Sequence, residues 1–102
     1  MTACGDCFRW AFRYAVKHPK ALVVHGTVQE PLGTHRYPHA WVTHRGRVKD
    51  WQTMEAGFGG KWQGKGYPLA TFQMLWKPQD EVRFTAIEAI RLSVKTGHYG
   101  PF

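Results

Sequence analysis

Apolar residues recur at Phe8, Ala11, Phe12 and Ala15, a spacing of i, i+3, i+4 and i+7 that lays one continuous stripe along a helix over residues 7–17. Arg9, Arg13 and Lys17 recur at every fourth position and form its solvated stripe. Asp6 suits the N-cap, and Pro19 forbids continuation much past His18. Residues 21–28 are a β-branched run bounded by turn residues, which predicts a strand broken at Pro31 to Gly33. Residues 37–44 and 47–51 predict two further strands, with Arg45-Gly46 as the tight turn between them. Five glycines in the ten residues 57–66 predict a mobile loop that carries Phe58 and Trp62. Residues 68–76 fit a short helix opened by Pro68 or a strand, and residues 80–84 read as a strand. Thr85 and Glu88 match a capping box, so a helix follows to about Thr96 with Ile87, Ile90 and Val94 inward and Gly97 as its stop. Helix, three strands, glycine loop, strand, helix is the order of an α+β domain, its N-terminal helix packed on an antiparallel sheet.

Length and composition bound the picture. A chain of 102 residues makes one domain, residues 1–102, and its 43% hydrophobic content excludes a disordered basic tail. No apolar run reaches the ~18–20 residues of a membrane span and no charged-then-apolar leader opens the chain, so a soluble, cytoplasmic protein is expected. The net charge of +7 first points to nucleic acid. Its cations are scattered, however, with no run of five and no nucleic-acid motif, which makes nucleic acid a secondary partner behind an acidic peptide or protein amide. An open sheet edge would also allow a homodimer.

The candidate chemistry centres on three residues. Cys7 lies in the first turn of the first helix, where backbone N–H groups and the helix dipole favour a thiolate. With a two-residue turn at Arg45-Gly46, paired positions sum to 91, so His39 lies opposite Gln52 and diagonal to Asp50 on one sheet face. Diagonal neighbours stand about 7–8 Å apart, within reach of a ring and a carboxylate. Asp50 can then orient one imidazole nitrogen while the other takes a proton from Cys7. The Cys7 N–H and Gln52 are candidate oxyanion donors, and Trp41 and Trp62 are candidate cleft residues. The rival chemistry is zinc: Cys4 and Cys7 with six histidines supply enough ligands, but no second close-spaced pair completes the usual structural site.

A cysteine opening an N-terminal helix, a strand like residues 21–28, then His39-Ala40-Trp41 and a turn leading to Val48-Lys49-Asp50, resembles the transglutaminase-like branch of the papain-like cysteine protease superfamily, in particular its small prokaryotic and phage members. The resemblance covers roughly residues 4–52. It implies a compact papain-like core and a Cys7–His39–Asp50 triad acting on an amide through a thioester, with no metal or organic cofactor. Trp51-Gln52-Thr53 replaces the Pro-Thr that many members carry after the aspartate, and Trp10 stands where a small residue or Asn is common. The alternatives are a non-catalytic basic module that binds nucleic acid or protein on the same scaffold and, third, a zinc-stabilised small domain.

Overall fold

In a computed structural model, which describes residues 5–102, the chain starts with helix α1 (Gly5–Lys17) and continues into strands β1 (Leu22–Gln29), β2 (Arg36–His44) and β3 (Arg47–Lys49). One wide turn of π-helix (Gln52–Ala56) and a 3-10 turn (Gly60–Trp62) follow. Strand β4 (Tyr67–Pro68), helix α2 (Leu69–Trp76), strand β5 (Gln79–Phe84) and helix α3 (Ala86–Thr96) complete the order. The five strands form one antiparallel sheet in the order β4-β3-β2-β1-β5. The radius of gyration, 12.6 Å, is that of a globular domain of this length.

The hairpin that carries the candidate chemistry follows from its turn. Arg45 and Gly46 both have positive φ, 54° and 76°, the two-residue geometry whose twist matches paired strands. That turn fixes the register Val42↔Lys49, Thr43↔Val48 and His44↔Arg47. Strand β3 is shorter than expected and ends at Lys49, because Asp50 leaves the sheet to cap the helical turn behind it.

Sheet alternation separates two cores. Val23, Ala40 and Val42 face α1 and α3, meeting Phe8, Ala11, Ala15, Ala86 and Ala89. Val24, Val28, Trp41 and Val48 face the other way, where they pack with Phe72 and Trp76 of α2. Residues 68–76 are therefore helical in the main, with Pro68 as the N-cap of α2.

Three local expectations need correction. Asp6 lies inside the first turn of α1, not at its cap, and bonds Arg9 one turn on. The glycine-rich segment is folded back on the core: the Gly64 N–H donates to the Thr53 carbonyl at 2.6 Å, and the Gly59 N–H to Gln63 Oε1 at 2.8 Å. The largest correction concerns α3. Its capping box forms as expected, the Thr85 N–H donating to Glu88 Oε1 and the Glu88 N–H to Thr85 Oγ1. Its buried face, however, is Ala86 and Ala89, while Ile87 is 62% and Val94 79% exposed. Ile90 is exposed as well. Small alanines let α3 approach α1 closely, which the bulkier stripe would prevent.

This inversion is directly testable by thermal or urea unfolding. Ile87→Lys should shift stability by no more than about 0.5 kcal/mol, as at other surface sites. Ala89→Asp, which buries an unpaired carboxylate between α1 and α3, should cost about 3 kcal/mol or more.

Candidate functional site

His39 sits mid-strand in β2, and both it and Asp50 are fully buried. The ring nitrogen Nε2 lies 3.0 Å from Asp50 Oδ2. The other carboxylate oxygen, Oδ1, accepts from the Thr53 N–H at 2.8 Å and from the Thr53 hydroxyl at 2.8 Å. Asp50-Trp51-Gln52-Thr53 thus acts as a local cap, in which the aspartate holds the third residue of the turn it starts. Burial pushes the Asp50 carboxyl up, but the His39 ring and the two Thr53 donors outweigh it and leave it below the usual carboxylate range. An ionised carboxylate can only accept, so Nε2 is the donor in this bond and Nδ1 is the ring nitrogen left over.

That Nδ1 is buried and has no hydrogen-bond partner among the described residues. Further buried polar atoms are in the same condition: Tyr37 Oη, Gln52 Oε1, Trp76 Nε1 and, on the other face of the sheet, His25 Nδ1. The His39 ring stacks on Trp41 at 5.8 Å and on Trp76 at 6.3 Å, with Tyr37 edge-on at 6.0 Å. Gln52 lies close enough to bias the Tyr37 hydroxyl, yet the two are not aligned as a hydrogen bond. Trp41 is therefore a packing wall of the His39 chamber rather than an exposed cleft residue.

Cys7 is buried in the first turn of α1 and is disulfide-bonded. The chain's second cysteine, Cys4, lies outside the described residues. On the helix, Cys7 points between two sets of neighbours. On one side are Phe8 and Ala11, and Phe8 touches His25, the β1 residue paired with Ala40. On the other are Trp10, whose Nε1–H donates to Glu55 at 3.3 Å, and Tyr14, whose hydroxyl accepts from Lys49 Nζ at 3.1 Å. Both Lys49 and Glu55 belong to the stretch that surrounds Asp50. His39 itself projects to the α2 side of the sheet, opposite the core that α1 covers. Beyond Lys49, β3 no longer pairs with β2, so the edge of β2 beside His39 meets the capped turn and not a strand.

Trp62 does not join this site. It packs against Tyr67 at 6.3 Å beneath the Lys61 ammonium at 4.9 Å, and it lines none of the hollows beside α1. No group of three metal-binding side chains is found among the described residues, and no described helix is long and apolar enough to cross a membrane.

In the sequence His25 is only one of six histidines that could supply a zinc ligand. It lies on the α1 face of β1, ringed by Phe8, Phe84 and Phe102, in an apolar hollow of about 550 Å³. Burial lowers its pKa to about 4. The strand alternation that places Val23 inward places His25 inward too, so the signal was present in the parity. Comparison with protein families, with curated proteins and with solved structures finds no match to this chain.

The two buried groups should act in different pH windows. His25 binds its proton more weakly when folded, so stability should fall as pH drops from about 6.5 to 4, by up to about 3 kcal/mol. His25→Phe should flatten that limb of a denaturation profile taken against pH. Asp50, lowered on folding, stabilises above the ordinary carboxylate value of ~3.9, and that contribution disappears as pH falls further. Asp50→Asn should remove the lower limb and leave the His25 limb in place.

Proposed function

We propose that this chain is a cysteine-dependent amide hydrolase or acyltransferase, with Cys7 as nucleophile, His39 as general base and Asp50 as the group that orients the ring. The single observation that carries this reading is the buried His39–Asp50 bond, 3.0 Å long, with the opposite ring nitrogen left unpartnered among the described residues. An unpartnered buried nitrogen does not mark a base by itself, since His25 Nδ1 is in the same condition; what sets His39 apart is the buried carboxylate held on its other nitrogen. A general base needs both features: one nitrogen held by a carboxylate and a lone pair kept for a proton. Cys7 is assigned as the third member from its place in the first turn of α1, while His39 projects to the other face of the sheet.

The reaction begins only after the Cys7 disulfide is opened by a thiol reductant, which supplies two electrons and leaves the sulfur as thiol or thiolate. His39 Nδ1 takes the thiol proton and the sulfur attacks the amide carbonyl. The tetrahedral intermediate collapses by breaking the C–N bond, and the imidazolium returns the proton to the departing amine. Water then cleaves the thioester, with His39 again as base; an amine in place of water gives transfer. The first-turn N–H groups of α1 offer the developing oxyanion its hydrogen bonds. Gln52, buried beside Tyr37, is a second candidate donor through its amide N–H.

Alkylation separates this reading from an ordinary thiol. In the reduced Cys4→Ser variant, iodoacetamide should modify Cys7 well below the usual thiol pKa of ~8.5, followed by mass spectrometry at each pH. His39→Ala should return the profile to that range, and Asp50→Asn should lower peptide-amide turnover by about 10³–10⁴-fold. A profile at ~8.5 that is insensitive to His39→Ala would sink the triad.

A further inference from the structure

The candidate triad leaves an adjoining feature unused. A groove of about 540 Å³ runs along α1 from its first turn to its last, with the Trp51–Glu55 side of the capped turn as its other wall. Asp6, the neighbour in sequence of Cys7, stands at one end and Lys17 and His18 at the other, as the order along α1 requires. Its floor is a ladder of rings one helical turn apart: Trp10 stacks on Tyr14 at 5.2 Å, and Tyr14 on His18 at 4.3 Å.

The charge along the groove is graded. At the Cys7 end Asp6 pairs with Arg9 and Glu55 accepts from Trp10. Arg13 and Lys17 line the remainder, exposed and with no carboxylate partner among the described residues. Past them, His44 is held below the ordinary histidine range by burial and then by Arg45, Lys49 and His18, so the positive field extends beyond the groove.

We infer that this groove is the substrate subsite for an acidic peptide segment, its carboxylates lying against Arg13 and Lys17 and its rings or aliphatic stems on the Trp10–Tyr14 ladder. The inference rests on Cys7 as the nucleophile. The helix then acts as a ruler. Arg13 lies six residues and Lys17 ten residues beyond Cys7, or ~9 and ~15 Å along the axis at 1.5 Å per residue. An extended peptide advances ~3.3 Å per residue, which places the recognised acids about three and about four to five residues from the scissile amide. A phosphodiester strand fits less well, because its unbroken negative charge would run over Asp6 and Glu55 at the Cys7 end. A peptide presents neutral amide N–H groups there, which those carboxylates can accept.

The test uses the full chain and three ten-residue peptides built around one Gln amide. One carries Glu at the third and fifth positions from it, one carries Gln at both, and one carries Lys at both. Binding is read by tryptophan fluorescence and calorimetry at 50 and 150 mM salt. The Glu peptide should bind about fivefold tighter than the Gln peptide, the scale of two solvent-facing ion pairs, and the Lys peptide most weakly. Arg13→Glu with Lys17→Glu should reverse the order, with the melting temperature kept as the check on folding. His39→Ala should retain the preference for Glu while losing turnover. Equal affinities for the Glu and Gln peptides, with Cys7 reactive as described above, would overturn the subsite and leave the triad standing. An inert Cys7 with the Glu preference intact would overturn the triad, and with it the groove's role as a substrate subsite, leaving only an acidic-peptide groove. Tighter binding of an oligo(dT) strand than of the Glu peptide, lost in the same double variant, would overturn the peptide in favour of nucleic acid.

Discussion

The bond between His39 and Asp50 constrains more of this structure than any other single contact. A carboxylate taken wholly out of water is tolerated only when its oxygens are filled by donors, and here His39 and Thr53 fill them. Each donor makes a demand on the chain. The ring must project from β2 at the height where β3 ends, which the two-residue turn at Arg45-Gly46 secures. Thr53 must follow Asp50 at helical spacing, which forces the strand to stop and the π-helical turn to start. The ring must also be walled from solvent, which explains why α2 lays Trp76 parallel to it. Hairpin, capped turn and α2 are thus three consequences of one buried charge.

What was legible in the sequence was whatever local chemistry decides. A two-residue turn fixes strand parity, so His39 and Asp50 could be brought together from their spacing alone. The apolar stripe of α1 and the Thr85–Glu88 box are likewise settled within one or two helical turns. The illegible parts depend on what lies opposite. On α3 the pattern holds two apolar stripes, and periodicity cannot say which one a neighbour accepts. The Phe8–Ala11–Ala15 surface of α1 accepts the small one and leaves Ile87 and Val94 in solvent. The glycine segment gave a similar difficulty, since its anchor is the Thr53 carbonyl, supplied by a distant turn. The disulfide state of Cys7 has no periodic signature at all.

The sheet also divides labour between its faces. On the α2 side are the His39–Asp50 pair and the unpartnered Tyr37 and Trp76 atoms; on the α1 side are alanines, the Cys7 helix and the apolar hollow around His25, whose Nδ1 is unpartnered too. The small residue between His39 and Trp41 belongs to this division. Ala40 lets α1 lie close against β2 while its two neighbours project to the other face. A larger residue there would lift the helix, and with it the first turn that carries Cys7, away from the strand that carries His39.

The same helix gives part of the net charge of +7 a regular arrangement. Summed over the surface the charge says little, since cations stand at many unrelated positions. On α1 it acquires direction, because Arg9, Arg13 and Lys17 repeat with the helical period beside a ladder of aromatic rings. One rigid element therefore carries three separate properties: an apolar face that docks it, a cysteine at its positive end, and a cationic stripe at fixed distances from that cysteine. A loop could carry the same residues but would not hold those distances. Distances measured along a helix are set by the rise per residue, so the backbone spacing from Cys7 to Arg13 and Lys17 is as firm as the helix itself.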